Sequence, residues 1–267
     1  MESYRHLQVS VDQQGVAHVR LARAPVNAVD QTLYKEIASA FADIDQFGAD
    51  VRVVILSGEG RHFCAGNDLD EFVTMTPANG AERMWRAREA FFAISECAVP
   101  VIGAVHGVAV GTGLAIAASC DFVLAAEDAR FGLPELSIGV MGGARHLARI
   151  APEPLVRRMF FTAEQMTAAD MARAGACLIV CKREQLLQEA TRYATRIATL
   201  SPTAVRVGKR TLDRAEWMDL RNGYEFEQDA TVRMSGHADC KEALAASLEK
   251  REPHYGPRLP APFQPRR

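Results

Sequence analysis

Two glycine-containing segments lie where an apolar run gives way to a helix-forming one, and both suit the binding of negative charge. The first is Phe63-Cys64-Ala65-Gly66-Asn67-Asp68-Leu69-Asp70; the second is Gly111-Thr112-Gly113, which opens a small-residue stretch from Leu114 to Ser119. Backbone N–H groups in the first turn of a helix lack carbonyl partners and face any nearby anion. Two such donors converging on one carbonyl oxygen form an oxyanion hole. Each segment taken alone is equally well read as a tight turn or a point of close packing, the common use of glycine. The Gly-x-Gly pattern lacks the third glycine and the acidic partner of a dinucleotide fingerprint. Asp68 is placed to cap the helix that follows it, and Asp70 to face solvent. His106, at the end of an apolar run, reads as structural. Met84, Trp85, Phe91 and Phe92 read as packing, and Arg157-Arg158 and Lys250-Arg251 as solvated charged faces.

These loops need a scaffold, and the apolar pattern supplies one. Leu7–Val11 and Val16–Leu21 alternate like strands, and Asp12-Gln13-Gln14-Gly15 between them predicts a hairpin. Pro25-Val26-Asn27-Ala28 breaks the chain, and Leu33, Ile37, Phe41 and Ile44 recur at helical spacing. The nearly continuous run Val51–Leu56 predicts a buried strand ending in the loop Ser57-Gly58-Glu59-Gly60. An amphipathic helix is expected over Ala81–Ser95, a buried strand over Pro100–Val105 running into Gly107–Gly113, a small-residue helix to Ser119 and a strand at Phe122–Ala125. Strands and helices alternate, which defines an α/β class. From Pro152 the pattern turns helical, through Leu186–Leu200, Val205–Leu212 and Trp217–Met234. Five prolines from Pro253 onward, without apolar periodicity, predict an extended tail.

Composition narrows the class further. The 267 residues are 48% apolar and 24% charged, which excludes a chain disordered throughout and allows a substantial core. Lys and Arg number 31 against 33 Asp and Glu, a net charge of −2 that offers no global field for nucleic acid or an anionic membrane. No apolar run reaches the roughly 18 residues of a membrane span, and no secretory signal opens the chain. Cys64, Cys97, Cys120, Cys177, Cys181 and Cys240 do not form a disulfide framework, and the pair Cys177/Cys181 lacks the second pair a metal site needs. A cytoplasmic protein with reduced thiols, no metal and no membrane or nucleic-acid partner is expected.

The two glycine segments also carry a resemblance. Phe63–Phe72 resembles the first signature of the crotonase (enoyl-CoA hydratase/isomerase) superfamily. Ala104-Val105-His106-Gly107-Val108-Ala109-Val110-Gly111-Thr112-Gly113-Leu114-Ala115, with Cys120-Asp121 and Phe131-Gly132-Leu133-Pro134-Glu135, resembles the second. Pro25–Ala28 and Ala129–Gly132 match as well, so the resemblance spans about residues 5 to 250 in order and spacing. It implies a crotonase-like spiral of β-β-α units over residues 1–200, a helical C-terminal trimerisation region over 201–252 and a Pro-rich tail over 253–267. It further implies a homotrimer or hexamer acting on an acyl-CoA thioester, with no cofactor because coenzyme A is part of the substrate. By position, the N–H groups of Asn67 and Thr112 would bind the thioester oxygen and stabilise an enolate. Ala65, Arg23, Asp68 and Gly111 fall at substrate- or CoA-binding positions, Ala65 against the adenine and Arg23 toward the CoA phosphates. Thr112 adds a Cβ where the family usually has glycine, which would narrow the acyl pocket.

One departure separates the activities within that resemblance. Hydratases of the family carry two glutamates, and their positions here are Ala115 and Glu135. Ala115 can neither hold a water nor exchange a proton, so a single-glutamate isomerisation with Glu135 as general acid/base fits better than hydration. A second reading is hydrolytic, retro-Claisen cleavage of a cyclic β-keto acyl-CoA, since Phe131–Arg149 and Arg157–Thr162 look similar to family members that open β-diketones. A third, from another class, is a non-catalytic acyl-CoA- or RNA-binding homologue, against which the near-neutral charge and Glu135 both argue. His146 stands where the family more often has Thr-Gln-Arg; it reads as a helix-start histidine bonded to backbone, or as a second proton carrier.

Overall fold

A computed structural model of the chain describes residues 4–48 and 50–255. One sheet has six strands in the order β1 (Leu7–Val11), β2 (Val16–Leu21), β3 (Val53–Gly58), β4 (Val101–Val105), β6 (Phe122–Ala126) and β9 (Leu178–Cys181). The second sheet is β5 (Val108–Val110), β7 (Arg130–Gly132) and β8 (Gln165–Thr167). β1 and β2 form the expected antiparallel hairpin with Leu7 opposite Leu21, and each later neighbour in the large sheet is parallel. Val53, Ile55, Ile102 and Leu124 face helix α8 (Leu186–Ala198), while Val54, Leu56, Val101 and Val123 face the main core. Burial on both faces explains why β3 and β4 read as continuous apolar runs rather than alternating ones.

Helix α1 (Gln31–Ala42) starts at Asp30, whose carboxylate accepts the Leu33 N–H at 2.7 Å. It lays Leu33, Tyr34, Ile37 and Phe41 against the core and packs on α3 (Pro77–Ser95). The four-residue α2 (Leu69–Phe72) lies between them in sequence, after the first glycine segment. α4 (Thr112–Ala118) is buried over its whole length, which its small residues permit. Short helices α5 (Ala144–Leu147), α6 (Glu153–Thr162) and α7 (Ala168–Arg173) follow. The C-terminal region is helical, as expected: α9 (Pro202–Ala215), α10 (Leu220–Ser235) and α11 (Ala238–Glu249). The expected tail lies, past residue 255, outside the described residues.

Several elements differ from expectation for identifiable reasons. α3 begins at Pro77 rather than Ala81, because Thr76 and Asn79 cap it reciprocally and Pro77 suits the first helical position. Val108–Val110 is a strand inside the segment read as a connection, and Ser57 and Gly58 complete β3 instead of leaving it. Within the stretch read as helical, Gln165–Thr167 and Leu178–Cys181 are strands. Both are too short to display a period of their own and take their conformation from the sheets they join. α11 follows a His237 cap that periodicity did not mark.

Candidate active site

Backbone pairing brings the two glycine segments together. The Phe63 N–H donates to the His106 carbonyl at 2.9 Å, Cys64 N–H to Val108 at 2.9 Å, and Val110 N–H to Cys64 at 3.2 Å. On the other side, Val29 N–H donates to Gly66 at 2.8 Å and Asp68 N–H to Val29 at 2.9 Å. Buried Asn27 fastens the same region, its amide donating to the Glu59 and His62 carbonyls at 2.9 Å each and to Phe63 at 3.2 Å. Gly66 and Gly111 have φ of +101° and +53°, the left-handed region open to glycine. Gly113 serves a different need: a Cβ there would stand 2.2 Å from the Cys64 carbonyl oxygen.

Tyr34, from the buried face of α1, links the segments a second time. Its hydroxyl donates to Asn67 Oδ1 at 2.7 Å and lies 2.9 Å from Thr112 Oγ1. Burial pushes its phenol well above the usual range, so it stays neutral. The sequence reading missed this residue. The available signal was a hydroxyl on an otherwise apolar helix face, which needs a buried partner. Among the described residues the N–H groups of Asn67 and Thr112 donate to no acceptor within the protein. Thr112 turns its side chain to Tyr34 and does not line the large cavity described below.

Glu135 sits on a 3₁₀ turn, Pro134–Ile138, held by the Val140 N–H donating to its carbonyl at 3.0 Å. Its carboxyl approaches the glycine loop so closely that a Cβ on Gly111 would lie 2.9 Å from Oε1. Oε2 is buried without a hydrogen-bond partner. Burial raises this carboxyl above the ordinary glutamate value, with its own backbone N–H offsetting part of the shift. Ala115, where a second carboxylate would stand, is 2% exposed on α4.

Beside this carboxyl opens a cavity of about 1380 Å³ between α3, α5 and α9. Gly142 and Gly143 separate it from Glu135: a Cβ on Gly142 would lie 4.0 Å from the Glu135 Cγ, and one on Gly143 3.7 Å from Oε1. Met84, Phe91 and Phe92 line the cavity, whereas Trp85 is half exposed and outside it. His146 also lines it, stacked edge-on against Phe91 with centroids 4.9 Å apart. Its ring makes no hydrogen bond among the described residues, contrary to the backbone-bonded reading. Burial first, then Arg149 and Arg145, lowers its pKa to about 4.

The remaining expected binding residues are engaged with one another. Arg23 donates to Asp68 at 2.5 Å and to the Ala28 carbonyl at 2.9 Å, and lies 3.2 Å from Asp30. Asp68 also caps α2, accepting the Asp70 and Glu71 N–H groups at 3.0 and 3.3 Å, and the Arg23 bond holds its carboxyl below the usual range. The Ala65 N–H donates to Val26 at 3.1 Å. His106 bonds the Gly60 carbonyl at 3.0 Å, a structural contact. All six cysteines are free, and no cluster of His, Cys, Asp or Glu among the described residues is arranged to hold a metal. No described helix is long and apolar enough to cross a membrane.

A two-sheet α/β body closed by C-terminal helices, with two backbone-paired glycine loops beside one buried carboxyl, defines the crotonase class of protein. The family model described as Enoyl-CoA hydratase/isomerase matches residues 11–258, and the chain belongs to that family. It is 37% identical over 233 residues to a (7aS)-7a-methyl-1,5-dioxo-2,3,5,6,7,7a-hexahydro-1H-indene-carboxyl-CoA hydrolase of Mycobacterium tuberculosis, covering 84% of this chain and 92% of that protein. To the short-chain-enoyl-CoA hydratase of Clostridium acetobutylicum it is 31% identical, over 85% of this chain and 88% of the other. The crystal structure of an enoyl-CoA hydratase from Mycobacterium smegmatis superposes with a TM-score of 0.88 at 27% identity, covering 93% and 98% of the two chains.

Proposed function

We propose that this enzyme cleaves a carbon–carbon bond of a cyclic β-keto acyl-CoA by hydrolysis, with Glu135 as its one proton carrier. The observation that carries a one-carboxyl mechanism is Glu135, its Oε2 buried without a hydrogen-bond partner and Ala115 where a second carboxyl would stand; similarity to a cyclic acyl-CoA hydrolase then favours hydrolysis among such reactions. Ionised Glu135 takes a proton from water as the water oxygen bonds to the ring ketone carbon. The bond between that carbon and the thioester α-carbon breaks, its electron pair passing into the thioester enolate. The ketone carbon becomes a carboxylic acid, and Glu135 returns its proton to the α-carbon. One carboxyl suffices because the proton removed from water is the proton given to carbon. Burial raises the Glu135 pKa, the direction that helps the group return its proton to carbon.

The Asn67 and Thr112 N–H groups would hold the enolate oxygen, a contribution of about 10²–10³ in rate per donor. Similarity to the indene-carboxyl-CoA hydrolase supports hydrolysis over hydration. Isomerisation of a 3-enoyl-CoA is the second reading, favoured by the same single glutamate, which can carry a proton between two carbons. CoA contacts at Ala65, Gly111, Asp68 and Arg23 are part of the proposal, Arg23 acting after exchange of a carboxylate partner for phosphate. A homotrimer or hexamer is proposed from the exposed Leu212, Trp217, Leu220, Tyr224 and Leu248 of the C-terminal helices. Ring opening of 2-oxocyclohexane-carboxyl-CoA, followed by mass spectrometry as gain of one water, tests the function. Glu135→Gln is expected to abolish that gain while binding acyl-CoA. Conversion of a 3-enoyl-CoA to the conjugated thioester, with no ring opening, would transfer the assignment to isomerisation.

A further inference from the structure

The large cavity holds more positive charge than its carboxylates balance. Arg88 of α3, Arg145 and Arg149 around α5, and Arg206, Arg210 and Arg214 of α9 all line it. Some of these are committed: Arg206 to Asp45 at 2.6 Å, Arg149 toward Glu216 at 4.0 Å, and Arg145 over the Trp217 ring at 5.0 Å. Of the cavity's other acids, Asp213 lies 3.8 Å from Lys209, and Glu96 is exposed at the end of α3. The guanidinium groups of Arg88, Arg210 and Arg214 make no ion pair or hydrogen bond among the described residues. Arg210 and Arg214 are also one helical turn apart, an arrangement of like charges that destabilises a helix unless an anion sits between them.

We propose that Arg88, Arg210 and Arg214 form a carboxylate subsite, which holds the acyl group of the ring-opened product by the carboxylate it carries remote from the thioester. The inference rests on the acyl-CoA reading above and names the class of product that the site retains. Its position decides between the two anions an acyl-CoA can offer. The cavity adjoins Glu135 across Gly142 and Gly143, whereas Ala65, Asp68 and Arg23, the residues proposed for CoA, do not line it. The wall therefore meets the acyl end rather than the phosphates. Guanidinium groups suit the purpose because their planar fork of N–H groups donates to both oxygens of a carboxylate. The same subsite fits ring-opening chemistry, which converts a neutral ketone into a carboxylate at the far end of the acyl chain.

The test is calorimetric binding of heptanedioyl-CoA against heptanoyl-CoA, which share the CoA moiety and chain length and differ only in the terminal acid. The dicarboxylic thioester is expected to bind about tenfold or more tightly, as a charge-assisted contact implies. In Arg210→Gln/Arg214→Gln, and more weakly in Arg88→Gln, the ratio between the two ligands should fall toward one. Circular dichroism melting confirms that each variant is folded, and Arg214→Gln alone serves if the double variant is not. Equal affinities for the two thioesters, or a preference that survives the substitutions, would overturn the subsite. Loss of ring opening with the preference intact would refute the hydrolase reading alone, and failure of both ligands to bind would overturn the acyl-CoA reading and the subsite with it.

Discussion

Gly113→Ala is the sharpest perturbation of the proposed oxyanion hole, because it acts on neither donor directly. Gly113 has no left-handed backbone angle, so alanine is conformationally acceptable there and only space is at issue. The added Cβ would stand 2.2 Å from the Cys64 carbonyl oxygen, 2.8 Å from the Cys64 Cβ and 2.9 Å from its carbonyl carbon. Ordinary contact distances require the two backbones to part by roughly 1 Å. One of them continues through Ala65 and Gly66 to Asn67; the other begins at Thr112. A misplacement of about 1 Å costs on the order of 10²-fold in rate, or about 2.7 kcal/mol of transition-state stabilisation. Overpacking at a buried helix adds about 1–3 kcal/mol of lost stability. The assay is exchange of α-carbon protons of heptanoyl-CoA with deuterium, read by NMR, since protonation of the enolate is reversible whichever overall reaction is catalysed. Exchange within roughly threefold of the parent, in a variant still folded by circular dichroism, would refute the claim that this contact sets the hole.

Tyr34→Phe removes the hydroxyl between Asn67 and Thr112 while keeping the ring in the core. Its exchange rate is expected to fall about tenfold with a stability loss of about 1 kcal/mol, and unchanged exchange would demote Tyr34 to packing. Glu135 bears on stability as well as chemistry. Its pKa is raised by burial from 4.5, so above that value the unfolded chain binds fewer protons than the native one, and the group withdraws stability as pH rises toward its native pKa. Glu135→Gln should therefore melt higher than the parent near neutral pH, the difference vanishing below 4.5; coincident melting curves at all pH values would contradict the burial argument. Lys209→Met leaves Asp121 without its ammonium partner at 2.8 Å and should cost about 2–4 kcal/mol in urea unfolding. A loss below about 0.5 kcal/mol would mean that the pair is balanced by its own desolvation.

Local chemistry made much of this molecule legible. The hairpin, β3, β4, α1 and the buried α4 follow from alternation, β-branched runs and small-residue spacing, all of which survive in a single sequence. The glycine segments were readable because glycine marks left-handed turns and close approaches, as Gly66, Gly111 and Gly113 all do. What remained hidden depends on partners distant along the chain. β5 and β9 are three- and four-residue strands whose conformation comes from neighbours already in place. Tyr34 spans 33 and 78 residues to reach its partners, and Lys209 spans 88 to reach Asp121. The arginine wall joins α3 to α9, over 100 residues apart in sequence, and no local pattern announces it.

Lys209 has a mechanical consequence for ligand entry. Its ammonium is 4% exposed and donates to the Ser95 carbonyl and to both oxygens of Asp121, which in turn accepts the Val101 N–H at 2.6 Å. α9 is thereby riveted to the end of α3 and to the edges of β4 and β6. A wall fastened in this way cannot swing outward as a flap without exposing a buried cation stripped of its counter-ion. For the acyl site proposed above, the α9 side is thus fixed beforehand, and selection among guests on that side would rest on shape and on the placement of their charges. Little ordering entropy is left to be lost on that side when a guest arrives.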